Sequence, residues 1–386
     1  MADLHAPTAA TDGVLRPTHL RVDLDRIAAN YHALVAHAGG RMVMPILKAN
    51  AYGHGLVPVA RRLEAEGAPY LGVAYVEEGI LLRRAGVRAP VLVLGGILGD
   101  QVPLFIEHDL TLTASSVDKL RAIDAAAAAM GRRARVHLKV DTGMERIGVH
   151  WYSAAALGEA ALASEHVDIE GAYSHLARSD ESGETFTAEQ LARFQRVLAE
   201  WEEQGLRPRI RHLANSGGLL QHPETWLDMV RPGIALYGVP PGPGCALPPD
   251  VRPALRWLSR VVYFKVVQPG SPVSYGSTWV PEQMTRIVTV PVGYGDGYFR
   301  AMSGRAEVVL GGRRYPVVGR ICMDQLMVDI GWDSAFNGDE VVLLGEQGGA
   351  SVGAGDLAAW AGTIPYEVLT NINTRVPRVY VGAVPD

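Results

Sequence analysis

Lys48 opens the segment KANAYGHG (48–55), directly after the apolar run RMVMPIL (41–47). A lysine at the end of a buried strand is desolvated, which lowers its pKa and makes its amine nucleophilic. Such an amine forms a Schiff base with a carbonyl, the aldehyde of pyridoxal 5′-phosphate (PLP) included. Asn50, Tyr52, His54 and two glycines follow at once, a tight turn crowded with hydrogen-bonding side chains. The competing reading is a lysine that has left the core for solvent. Two later segments suit an anion. ANSGG (214–218) offers Asn215, Ser216 and two glycines, and RPGIALYG (231–238) offers backbone N–H groups at Gly233 and Ile234. Glycine lets backbone approach a phosphate closely, although an ordinary turn has the same composition.

His175 and Arg231 stand at the sixth and eighth strand-like runs; a core histidine and a surface ion pair are the plain alternatives. Lys139 ends the fifth run in KVDTGMERIG, near Asp141, Glu145 and Arg146. Tyr275 in SYGSTW and Tyr294 in GYGDGY sit beside glycines, and tyrosine acts as acid or base where positive charge lowers its pKa. GRICMDQ (319–325) carries Cys322, Met323 and Asp324, with no local Cys–His signature. No HExxH, Walker-type or GxSxG element occurs.

These residues need a frame. Val22–His37 reads as a helix, and apolar runs follow at 41–47, 70–75, 90–95, 110–115, 135–140, 169–176, 209–215 and 230–238. Helix-like stretches (Val76–Ala85, Val117–Met130, Ala188–Gln204) separate most of them. Repeated β–α alternation implies a parallel sheet, and eight units of about 30 residues suit a closed (β/α)₈ TIM-like barrel; an open doubly wound sheet is the alternative. The Pro-rich stretch 240–250 reads as a linker. Beyond it, strand-like runs with Gly-containing turns predict a mostly antiparallel β domain, with GG (311–312) and NGD (337–339) as hairpin turns. The expected domains are 14–245 and 246–386, the extreme N-terminal segment being a candidate to join the second.

Composition narrows the class. Among 386 residues, 36 Lys+Arg against 41 Asp+Glu give a net charge of −5, without a basic footprint for nucleic acid. No apolar run approaches the ~18 residues of a membrane helix. The start, MADLHAPTAATDG, lacks the basic and apolar regions of a secretory signal. Cys245 and Cys322 form neither a disulfide framework nor a metal motif, so a reducing cytoplasm is expected and no metal is.

Taken together the segments resemble the alanine racemase family. ILKANAYGHG (46–55) is similar to its PLP-lysine signature. DTGMERIG, YSHLARSD, HLANSGG, RPGIALYG, SYGSTW, GYGDGY, GRICMDQ and PYEVLTNI follow in the family's order, over residues 20–382. The resemblance implies a PLP-dependent racemase of L- and D-alanine, a (β/α)₈ barrel joined to a β domain, and a homodimer. It implies Lys48 as the PLP lysine and one base, and Tyr275 as the opposite base, supplied by the second subunit. Arg231 would meet the pyridine nitrogen, with His175 near both Arg231 and that tyrosine. Tyr52, Asn215, Ser216, Gly233, Ile234 and Tyr366 would hold the cofactor. Arg146 and Met323 would contact substrate, and Tyr294 would stand at the entrance. Lys139 matches a lysine often carbamylated in the family. Glu145 stands where many members have Gly, and Gly217 where many have Ala; Glu145 could compete with a carbamate on Lys139 for Arg146. Rival readings are a serine or broader racemase on the same scaffold, a PLP decarboxylase, and a non-catalytic PLP carrier.

Overall fold

The computed structural model describes residues 15–181, 183 and 185–382. They divide into two units, one of residues 24–252 and one of 15–23 with 253–382. The division falls beyond the Pro-rich stretch, later than the expected 245/246. Asn30 supplies a reason: its buried side chain donates to Leu236 O and Arg252 O and accepts from the Arg252 N–H, tying the chain up to 252 to the first unit.

Strand β1 (His19–Asp23) belongs to the second unit. The helix expected from Val22 therefore begins only at Leu24 (Leu24–His37), because Val22 pairs with Leu255 on one side and Tyr380 on the other. The first unit continues with β2 (Met42–Val43), β3 (Leu71–Val73), β4 (Val91–Val93), β5 (Leu112–Ala114), β6 (Ala134–Asp141), the short β7 (Val149–His150) beside β6, β8 (Val167–Tyr173), β9 (Ile210–His212) and β10 (Met229–Val230). Regular parallel ladders join β10 to β2, β3 to β4, and β5, β6, β8 and β9 in that order. Single parallel bridges close the gaps, Ile46 with Gly72 and Leu92 with Thr111. The Asp228 N–H donates to Arg211 O and the Arg231 N–H to Ala214 O, each at 3.0 Å, joining β9 to β10. The sheet thus closes on itself, eight parallel strands without an edge, and the open-sheet alternative falls. Strands β3, β4 and β5 are buried at every position, as strands covered on both faces must be.

The run 230–238 is not a strand. The regular ladder ends at Val230, single bonds from Arg231 N–H to Ala214 O and from Ile46 N–H to Pro232 O follow, and Ile234–Tyr237 forms a 3₁₀ turn. Arg231 therefore stands just past the C-terminal end of β10 rather than at the start of a strand. His175 likewise follows β8 by two residues, and Lys139 lies inside β6, two residues before its end. Loops after the C-terminal strand ends carry the chemistry of such barrels.

The second unit is a ten-stranded sheet. Beside β1 it contains β11 (Leu255–Arg260), β12 (Tyr263–Val267), β13 (Thr285–Val290), β14 (Glu307–Leu310), β15 (Arg313–Val318), β16 (Leu326–Asp329), β17 (Glu340–Gln347), β18 (Ala350–Val352) and β19 (Arg378–Val381). The order is β12-β13-β16-β15-β14-β17-β11-β1-β19, with β18 on β17; every pair is antiparallel except β1 with β19. Gly311–Gly312 turns the β14–β15 hairpin with φ +58° and +78°. NGD makes no hairpin, since β16 and β17 are not neighbours; the second Gly-Gly hairpin is Gly348–Gly349, between β17 and β18.

Candidate active site

The residue after Lys48 enters a conformation that L-amino acids avoid. Ala49, Asn50, Ala51 and Tyr52 have φ of +53°, +57°, +54° and +51°, a left-handed turn that Gly53 ends at +82°. Each non-glycine residue there costs about 1–2 kcal/mol, so the surroundings must hold it. Glu78 does so from the first turn of the helix Val76–Arg84: Oε1 accepts the Ala49 N–H at 2.7 Å while Oε2 accepts the Ala74 N–H at 2.8 Å. Asn50 Oδ1 accepts the Leu56 N–H at 2.8 Å. Lys48 is thereby fixed at the mouth of the barrel. Burial, then Arg146, push its pKa below the ordinary value of 10.5; Glu78 opposes this and Arg231 adds to it.

Arg231 is 3 % exposed and lies among neutral acceptors. It donates to Ser174 O and Leu213 O at 2.9 Å, to His212 Nδ1 at 3.0 Å and to His175 Nδ1 at 3.3 Å. Burial pulls its pKa down to about 10, which leaves it cationic at neutral pH. A guanidinium has no acceptor, so both histidines receive with Nδ1 and carry their protons on Nε2. His212 Nε2–H then donates to His137 Nδ1 at 2.8 Å, and His137 Nε2–H to Glu170 at 3.2 Å. Tyr70 also donates to Glu170, at 2.7 Å. Burial opposes ionisation of Glu170, but these donors outweigh it and hold the carboxyl at about 2. Gly171 makes room for the relay, since a Cβ there would lie 2.6 Å from the His137 ring. Burial first, then Arg231, keep His175 and His212 well below 6.5 and neutral.

The two small-residue loops meet. Ser216 Oγ accepts the Gly233 N–H at 2.9 Å, and a Cβ on Gly233 would stand 2.3 Å from the Tyr52 hydroxyl oxygen. Asn215 caps the helix Ser216–Gln221 by accepting the Gly218 N–H at 3.0 Å, and takes a hydrogen bond from Ser179. Two hydroxyls and the backbone around Gly233 and Ile234 thus converge where only a glycine fits.

Lys139 is buried, with Nζ 4.5 Å from the Tyr173 ring centre; that ring stacks on His212. Burial, then Arg231, set its pKa well below 10.5. Asp141 is committed to its own turn, accepting the N–H groups of Gly143, Met144, Glu145 and Arg146. Glu145 pairs with His150 at 2.9 Å, an exposed contact.

In the second unit three loops come together. The Tyr294 N–H donates to Cys322 O at 3.0 Å and the Gly295 N–H to Met323 O at 2.9 Å. Ser274 Oγ donates to Arg320 O at 2.5 Å, beside the Cys322 thiol. Ser274 (φ +67°) and Gly276 (φ +73°) bracket Tyr275, which is 71 % exposed. Asp296, fully buried, pins the Tyr294 loop between Arg16 and Arg375. Tyr366 rides separately, on the helix Pro365–Thr370. Among the described residues no group of three or more His, Cys, Asp or Glu is arranged to hold a metal.

The alanine racemase N-terminal domain matches residues 22–241, and the alanine racemase C-terminal domain matches 254–380. The chain belongs to the alanine racemase family. An alanine racemase of Symbiobacterium thermophilum is 47% identical over 369 residues, covering 95% of this chain and 98% of that protein. The alanine racemase of Streptomyces lavendulae superposes with a TM-score of 0.92 at 40% identity, over 96% of this chain and 98% of the other. That of Bartonella henselae, solved with covalently bound pyridoxal phosphate, gives 0.86 at 28%, over 95% and 99%. The hydrogen bonds also reveal roles that the motifs did not: those of Glu78 and Gln190, and the relay His212–His137–Glu170. The signals were two histidines inside apolar runs, His137 in RVHLKV (135–140) and His212 in RIRHLAN (209–215).

Proposed function

We propose that this chain interconverts L- and D-alanine with PLP as cofactor and two bases, Lys48 and Tyr275. The observation that carries the reading is a lysine of depressed pKa held rigidly at a barrel mouth whose buried cation, Arg231, has only neutral hydrogen-bond partners. The mouth fits the cofactor. The Gly233 cradle, closed to any Cβ, would hold its phosphate with Ser216, Tyr52, Asn215, Ile234 and Tyr366, and Lys48 would hold its aldehyde carbon. When bound, PLP draws electrons from the amino acid and weakens the Cα–H bond.

The protein decides how strongly. Arg231 would face the pyridine nitrogen. Being cationic, it disfavours a proton there, which limits side reactions such as transamination. Its place is fixed by four acceptors and, through two neutral histidines, by Glu170. His175, neutral, would relay the positive field of Arg231 towards the phenol of Tyr275. Lys48 accepts or returns the α-proton on one face of alanine, and Tyr275 does so on the other. The exposed loop carrying Tyr275 suits a homodimer in which each phenol serves the other copy's site. Arg146 would bind the alanine carboxylate, with Met323 and Tyr294 bounding the substrate space. The amine of Lys139, its pKa depressed by burial, would in its neutral form add CO₂ and release a proton, placing a carbamate beside Arg146; the contact of Glu145 with His150 supports this over competition by Glu145 for Arg146. The enzyme would be cytoplasmic, consistent with two unpaired cysteines, and its D-alanine would serve bacterial cell-wall peptidoglycan.

The experiment is a panel of L-amino acids, incubated with the chain and PLP and assayed for the D enantiomer. D-alanine well above D-serine is expected; CO₂ release without interconversion would replace the reading by decarboxylation. Gly233→Ala isolates the phosphate cradle. The added methyl meets Tyr52, and overpacking of this kind costs about 1–3 kcal/mol. PLP affinity, followed by fluorescence titration, is therefore expected to fall roughly tenfold or more; unchanged affinity would place the phosphate elsewhere.

A further inference from the structure

Gln190 lies on the helix Phe186–Glu203 and is fully buried, yet each of its polar atoms is used. Oε1 accepts the Ala177 N–H at 2.9 Å. Nε2 donates to His175 O at 2.9 Å and to Thr142 Oγ1 at 3.2 Å. A backbone donor on one side and a carbonyl on the other allow only this amide orientation. Thr142 Oγ1 in turn lies 2.7 Å from Ser174 Oγ, and Ser174 O is an acceptor of Arg231. One turn further on, Arg193 donates to Thr142 O at 2.8 Å. Gly143 (φ +138°) presses so close to this helix that a Cβ would lie 2.4 Å from Phe186.

We propose that Gln190 is a positioning residue: it locks the strand end bearing His175 and the turn bearing Arg146 into one rigid piece. It touches neither substrate nor cofactor. Its two arms reach the backbone of His175 and, through Thr142, the Asp141–Arg146 turn, the two segments that the racemase reading sets against the phenolic base and the alanine carboxylate. The proposal rests on that reading. A misplacement of about 1 Å in such groups costs as much as ~10²-fold in rate.

The test uses PLP-reconstituted enzyme and the variants Gln190→Met, Gln190→Glu and Thr142→Val. Gln190→Met keeps the volume and removes all three hydrogen bonds. It is expected to lower kcat/KM for alanine at least ~10-fold and to raise KM, with the absorbance and affinity of PLP on Lys48 unchanged, because Ser216 and Gly233 are untouched. Gln190→Glu, which as a carboxylate keeps only the acceptor for Ala177, is expected to lose activity in the same way. Thr142→Val cuts the Arg146 arm and the link to Ser174 Oγ while sparing the Gln190 bonds to Ala177 and His175, and is expected to raise KM more than it lowers kcat. The double variant Gln190→Met/Thr142→Val should be little worse than Gln190→Met, since both break one junction. Should Gln190→Met fail to fold, Thr142→Val with Gln190→Glu carries the same test. Folded variants with kcat/KM within twofold of the parent, or losses that track PLP retention, would overturn the proposal. A parent enzyme that makes no D-alanine would instead overturn the racemase reading.

Discussion

Lys48→Ala, loaded with PLP, is expected to lose alanine racemisation by at least ~10³-fold, because one substitution removes both the anchor of the cofactor and one of two bases. The left-handed turn after it ensures that no neighbouring group replaces it: Ala49 to Tyr52 are held by Glu78 and Asn50, and the residues that flank Lys48 are apolar. A small primary amine supplied in the buffer should restore part of the activity, since the missing function is an amine at a defined place. Lys48→Arg should not be rescued, as a guanidinium stays protonated. The pH dependence carries the same logic. Burial and Arg146 favour the neutral amine, so its pKa lies below 10.5 and the base form appears at lower pH than for an ordinary lysine. Removing the nearby cation by Arg146→Gln takes away one of the depressing influences, and the limb of the pH–rate profile assigned to Lys48 should move upward. An unmoved limb would assign it to another group.

Tyr275→Phe is expected to produce the complementary defect. The phenol is 71 % exposed on a loop whose backbone is fixed by Ser274 and Gly276, so loss of the hydroxyl should leave the second unit intact. The PLP absorbance on Lys48 should remain. Removal of the α-proton from L-alanine should fall about 10³-fold, the scale of a positioned acid–base group. Exchange of the α-proton of D-alanine with solvent should persist, because Lys48 still faces that side. The amine-rescued Lys48→Ala enzyme should show the reverse preference. This reciprocal pattern is what separates two bases from one base that reaches both faces. Equal loss of exchange from both enantiomers in Tyr275→Phe would contradict it.

Much of this was readable from residues. The run RMVMPIL followed by KANAYGHG announced a buried strand and a polar turn, and the structure places Lys48 at that junction. Seven of the eight apolar runs that predicted a barrel each enclose most of a barrel strand, and the eighth, 230–238, begins on the last residue of β10. Four features were not readable. Val22 fits an amphipathic helix, yet its pairing with Leu255 and Tyr380 lies over 200 residues away and overrides the local pattern. The apolar stretch VRPGIALYG looks like a strand throughout, and only the closing of the barrel reveals that Arg231 comes after it. Glu78 and Gln190 act on backbone groups of distant loops, and a carboxylate or amide in a helix carries no local mark of the turn it will hold. Arg231 matters through neutral neighbours, and His137, His212 and Glu170 become a relay only once β6, β8 and β9 lie side by side.

The most direct measurement follows L-alanine in D₂O with the PLP-loaded enzyme, reading configuration and α-deuterium together in the first few per cent of reaction. The account predicts D-alanine that carries solvent deuterium at Cα while the remaining L-alanine keeps its original hydrogen, as two bases on opposite faces require. D-alanine retaining the substrate hydrogen, or L-alanine exchanging as fast as D-alanine appears, would contradict it.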